Sequence, residues 1–214
     1  MALDRETVVR TALRLLNEVG LEGLTLRRLA AELHVQAPAL YWHFRNKQEL
    51  LDEMAGAVQL DNFRALNREA LAGMTWQEWG VEYGRGLRRM LLRYRDGAKV
   101  FSGTYLIDDA MFEAMEISLR KFVDAGFALG DAARSLGTIS SYTVGFTIEE
   151  QAVYPRPGER SEQYDLARRA ERIDAAKLPL AFAVGEENLA NFDERFEHGL
   201  RLIVAGIATL LARG

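Results

Sequence analysis

The residues with the clearest chemical capacity are Tyr41, Trp42 and His43, an aromatic run that follows Pro38 and lies near Arg27, Arg28, Arg45 and Lys47. A phenol, an indole and an imidazole offer hydrogen-bond donors and flat apolar faces, and beside guanidinium and ammonium groups they suit a polyanion. Basic groups with Tyr41 and His43 donors can clamp phosphates on both sides of a duplex groove while Gln36 and Arg27 reach base edges. Reaction chemistry has no comparable constellation. The chain has no cysteine, three histidines (His34, His43 and His198), and no H-E-x-x-H, Walker loop or G-x-S-x-G. No catalytic residue, cofactor or metal set is therefore expected, and His198, near Glu194 and Glu197, reads as a surface or dimer-interface residue.

Positioning that aromatic run requires short helices. Residues 5 to 19 place Val9, Ala12, Leu13, Leu16 and Val19 on one helical face, with Asp4 as N-cap and Gly20 as the stop. Thr25 caps a second helix, residues 26 to 33, and Pro38 opens a third, residues 38 to 44. Two short helices about four residues apart match a helix-turn-helix, whose second helix enters the major groove. Leu40 is the expected inward anchor, which leaves Gln36, Pro38, Ala39, Tyr41, Trp42 and His43 outside. The plainer alternative is that Tyr41 and Trp42 cover a seam between domains.

Asn46-x-x-Glu49 opens a fourth helix that passes Leu50, Leu51, Met54 and Val58. From Trp76 onward the helices lengthen, with Trp79, Tyr83, Leu87, Met90, Leu91 and Tyr94 recurring on a face that begins a second core. Helices are expected over 108 to 125, 129 to 153 and 186 to 213, and a loop with one helical turn over 155 to 179. The reading is all-α: a three-helix helix-turn-helix domain at 1–47, a connecting helix at 48–64, and a ligand-binding and dimerisation domain at 65–214. The apolar stripes of 129–153 and 186–213 are too wide for one small domain to bury, which points to a homodimer.

The 214 residues, 49% hydrophobic and 27% charged, can fill one sizeable core or two small ones. A formal charge of -4 excludes general attraction to polyanions, yet residues 1–47 hold seven Lys/Arg against five Asp/Glu. The longest nearly apolar run, Leu202 to Ala212, is too short to span a bilayer, and the N-terminus lacks a signal-peptide core. A cytoplasmic protein with no membrane partner is expected.

Together the N-terminal helices, the segment APALYWHFRNKQELLD and the segment LLRYRDGAKVFSGT resemble the TetR family of bacterial repressors, in its tetracycline-repressor-like branch. The resemblance implies an all-helical homodimer on double-stranded operator DNA, its two long C-terminal helices pairing into a four-helix bundle, with a core that takes a small-molecule effector. It also implies DNA contacts at Arg27, Gln36, Ala37, Pro38, Ala39, Tyr41, Trp42, His43 and Lys47. Ala37 and Ala39 replace polar residues of the tetracycline repressor, so a different operator is expected.

The same resemblance places Phe63, Tyr83, Leu87, Phe101, Tyr105, Met115, Ser141, Tyr142, Phe146 and Glu149 around the effector. Half of these would be ordinary core in any helical domain. The tetracycline repressor holds its drug as a magnesium chelate through histidine, asparagine, arginine and a carboxylate. Aligned positions here carry Phe63, Tyr83, Phe101, Tyr105 and Ser141, with only Glu149 kept, a poor set for a hard divalent cation. The expected function is a repressor released from its operator by an apolar or aromatic, antibiotic-like effector, with Glu149 as polar anchor. Two alternatives stay open: a dimeric helical protein that binds a small hydrophobic molecule without DNA, and a true tetracycline-magnesium repressor.

Overall fold

The computed structural model describes residues 4–65, 68–102, 104 and 109–211, and among these the regular structure is helical. Helix α1 (Arg5–Gly23) starts where the Asp4 carboxylate accepts from the Thr7 N–H at 2.8 Å and breaks at Gly20, whose φ is 72°. That left-handed backbone suits glycine, so the sequence stop falls where expected. Next come α2 (Leu26–Glu32), capped by Thr25, and α3 (Ala37–Tyr41), with Pro38 in its first turn. Helix α3 is shorter than the expected 38–44, because Trp42 and His43 continue as a turn.

Helix α4 (Lys47–Arg64) opens with Asn46 Oδ1 accepting from the Glu49 N–H at 2.9 Å. The return bond of this capping box reaches Arg45 N–H, one residue earlier than the usual pattern. Then follow α5 (Arg68–Ala72), α6 (Trp76–Leu92), α7 (Gly97–Ser102), α8 (Asp109–Val123) and α9 (Leu129–Val153). The expected loop 155–179 is more structured: it holds a 3₁₀ turn at Glu162–Tyr164 and α10 (Leu166–Glu171), capped by Asp165. The chain ends through α11 (Pro179–Ala183), α12 (Gly185–Leu189) and α13 (Phe192–Leu211). The final helix therefore starts later than the expected residue 186, after Asn191 with φ 52°.

Two apolar clusters hold these helices. The first packs Val8, Leu15, Leu16, Leu29, Leu40 and Phe44 together with Leu87, Met90 and Leu91 of α6. The second packs Trp76, Trp79, Phe122 and Ile139 against Phe196, Leu200 and Val204 of α13. The expected second core starting at Trp76 is thus divided: the C-terminal half of α6 belongs to the N-terminal cluster. Seventeen residues at 1.5 Å rise make a rod of about 25 Å, long enough to serve both. The two clusters are consequently joined through α6.

Charge pairs add the outer tie between α1 and α4. Arg5 donates to Glu53 at 2.7 Å and Glu49 at 3.2 Å, and Arg10 pairs with Asp61. These arginines are taken up by the fold.

Candidate nucleic-acid interface and effector cavity

The four residues 33–36 that join α2 to α3 include His34 at φ 55°. Leu40 is fully buried, and this single anchor turns the rest of α3 outward. Trp42 is 90% exposed and Tyr41 57%, so neither ring covers a seam between domains. Arg27, Gln36 and Pro38 are exposed, Ala39 and His43 are half-buried, and Ala37, also half-buried, packs against the same core cluster as Leu40. Among the described residues the side chains of Arg27, Arg28 and Arg45 make no ion pair, in contrast to Arg5, Arg10 and Arg14 on α1. An exposed indole in a segment that also carries unpaired guanidinium groups is unusual for a protein surface without a ligand. Lys47 differs from the expected free clamp: its Nζ donates to the Leu21 carbonyl at 2.7 Å. An ammonium has two further donors, so this bond orients the side chain without using it up.

The second site is a cavity of about 360 Å³ bounded by α4, α5, α6 and α8 and by Phe101 of α7. Phe63, Tyr83, Leu87 and Phe101 line it, as the sequence reading placed them. Burial pushes the Tyr83 phenol above its ordinary value, against a hydrogen bond with Ser140 that pulls it down. Tyr105 lies outside the described residues. Five other expected wall residues sit elsewhere. Met115 is 51% exposed, because the helical period of α8 turns Met111, Ala114, Ile117 and Ser118 to the cavity instead. Tyr142 stacks on Phe196 at 5.5 Å, and Phe146 meets Phe192 and Phe196, so both belong to the α9–α13 contact. Ser141 and Glu149 are exposed on α9 and do not line this cavity within the protomer.

The carboxylate on the wall is Glu82, which pairs with Arg89 at 2.6 Å. Sequence reasoning missed it, along with Gln59, Asn62 and Trp79. Their signal was present: Gln59 and Asn62 share one face of α4 with Phe63, as Trp79 and Glu82 do with Tyr83 on α6. Among the described residues no cluster of three His, Asp or Glu could hold a metal ion. No described helix is long and apolar enough to cross a membrane.

A helix-turn-helix with an outward aromatic run, joined by one helix to a ring-lined cavity, defines a ligand-responsive DNA-binding regulator rather than an enzyme. The chain belongs to the TetR family: the family model described as bacterial regulatory proteins, tetR family, matches residues 8–54, and that of the tetracyclin repressor-like C-terminal domain matches residues 70–211. It is 42% identical to the class A tetracycline repressor from transposon 1721 of Escherichia coli over 96% of this chain and 91% of that protein. Among solved structures, a possible TetR family transcriptional regulator from Streptomyces coelicolor A3(2) shares 38% identity and a TM-score of 0.84, over 97% of this chain and 100% of that one. The Streptomyces coelicolor protein ActR in complex with actinorhodin shares 27% identity and a TM-score of 0.78, over 99% of both chains. The family acts as dimers, and its solved members include BioQ with its double-stranded DNA operator and ActR with actinorhodin.

Proposed function

We propose that this chain is a cytoplasmic repressor that leaves its operator when an aromatic or apolar effector, bound without a metal ion, enters the cavity between α4, α6 and α8. The observation that carries this reading is the run of α4, which begins at Lys47 beside the DNA-reading helix and ends at Phe63 on the cavity wall. Eighteen residues span about 27 Å as one rod. A ligand that displaces Phe63 tilts the rod, and the separation of the two reading helices in the dimer no longer matches half-sites about one helical turn apart. The response is as large as the ligand's preference for the displaced state.

DNA contacts are assigned to Arg27, Gln36, Ala37, Pro38, Ala39, Tyr41, Trp42, His43 and Lys47, and effector contacts to Phe63, Tyr83, Leu87 and Phe101. The division into residues 1–47, 48–64 and 65–214 is kept, with the middle segment as lever. Magnesium fits this cavity poorly. Among the described residues no three His, Asp or Glu gather there for a hard cation, and its carboxylate, Glu82, is engaged by Arg89.

The identity to tetracycline repressors favours a second reading, in which a tetracycline-magnesium chelate is the effector. Calorimetry with tetracycline and Mg²⁺ separates the two. Sub-micromolar binding that disappears in EDTA would establish the second reading and refute the first, whereas weak or metal-independent binding supports the first. A gel shift with DNA from around the protein's own coding region tests the repressor role.

A further inference from the structure

Two polar atoms on the cavity wall have no partner. The indole Nε1–H of Trp79 and the carboxamide Oε1 of Gln59 are shut off from solvent and make no hydrogen bond among the described residues, although both side chains line the cavity. Trp79 is only 5% exposed. Buried polar side-chain atoms are satisfied in the large majority of cases, so two orphans on side chains that line one cavity call for an explanation. Four other polar side chains on that wall are already engaged. Arg89 pairs with Glu82, Lys121 donates to the Ala72 and Met74 carbonyls, and Ser118 donates to Ala114 O.

The orphans are also complementary. An indole N–H can only donate, and a carboxamide oxygen can only accept. They stand on different helices, α6 and α4, among the rings of Phe63, Tyr83 and Phe101. We propose that Trp79 and Gln59 form a donor–acceptor subsite for a planar aromatic effector that carries both a carbonyl and a hydroxyl group. The bound ligand displaces the side chains that now cover both atoms, so that its carbonyl accepts from Trp79 Nε1–H and its hydroxyl donates to Gln59 Oε1 while the rings stack on the aromatic wall. The subsite rests on the effector reading of the cavity given above. It adds a consequence: Gln59 lies on the lever helix, so the hydroxyl engages the element that moves.

The test is calorimetry on the full-length dimer with two probes, flavone and 7-hydroxyflavone, which share the carbonyl and differ by the hydroxyl. The parent should bind 7-hydroxyflavone about tenfold more tightly, the size of one net hydrogen bond. Gln59→Leu should bring the two affinities together, and Trp79→Phe should weaken both probes by about tenfold. Each variant is checked for folding by its melting temperature, and either one alone suffices if the other does not fold. Equal binding of both probes by the parent, or a hydroxyl preference that survives in Gln59→Leu, overturns the subsite and leaves the cavity reading standing. Unchanged binding of both probes by Trp79→Phe overturns its donor half. No binding of either probe by the parent overturns the ligand class. An Ala114→Phe variant fills the cavity, and probe binding that persists in it overturns the effector cavity itself.

Discussion

The Asp96 carboxylate accepts a hydrogen bond from the backbone N–H of Leu21 at 3.0 Å, joining residues 75 positions apart. Leu21 N–H is free for this bond because α1 breaks at Gly20. Asp96 sits at φ 56° in the turn between α6 and α7, and that turn is gripped from behind by Gln151 of α9. The Gln151 carboxamide accepts from Ala98 N–H at 3.1 Å and donates to Tyr94 O at 2.8 Å. Thus α9 holds the turn, and the turn holds the helix that supports the DNA-reading unit.

Asp96→Gly tests this strap. Glycine accepts the positive φ readily, so backbone strain falls while the acceptor for Leu21 N–H is lost. We expect the loss to dominate, at about 1 to 3 kcal/mol for a part-buried donor. Melting temperature and operator affinity should both drop, and a variant as stable as the parent would show that the strap carries nothing.

Trp42→Ala should leave stability almost unchanged, since its ring is 90% exposed, within about 0.5 kcal/mol for such a surface position. Operator affinity should fall by about tenfold or more, the scale of one good contact at the groove. Thermal melts beside fluorescence-anisotropy titrations check the pair, and unchanged affinity would remove Trp42 from the interface.

Lys47→Ala and Arg27→Ala should separate by kind. Loss of the Lys47 phosphate contact weakens binding to every sequence and lowers the salt slope by about one. Because Lys47 also ties Leu21 O, its removal should cost some stability. Arg27→Ala should relax base preference in a binding-site selection, and an unchanged preference would refute its base-reading role.

The pair between Arg10 and Asp61 makes the α1–α4 seam sensitive to acid. Its hydrogen bond from Arg10 holds the Asp61 carboxyl below its usual value. A depressed carboxyl pKa adds stability above the unfolded value near 3.9, about the ordinary Asp pKa, and loses it as pH falls through the folded value. With Asp61 34% and Arg10 43% exposed, screening keeps this to less than about 1 kcal/mol. Melts of the parent should therefore fall slightly more steeply below about pH 4 than those of Asp61→Asn. Identical pH slopes would show that the pair does not stabilise the seam.

The sequence by itself determined the local events. Asp4, Thr25 and Asn46 cap helices, Gly20 ends one, and Pro38 opens another, because each acts on backbone groups within a few residues. One buried leucine, Leu40, then made the outward aromatic run legible, since a helix with a single anchored face must show the other. The resemblance to a family placed Phe63, Tyr83 and Phe101 around the effector together with Tyr142, Phe146 and Met115, and nothing in their spacing separated the wall residues from the rest. Only the tertiary structure decided which face of α8 meets the cavity, which face of α9 meets α13, and that α6 serves both apolar clusters. Helical periodicity says which side chains point the same way, but the direction depends on what packs there, and those contacts come from residues dozens of positions distant.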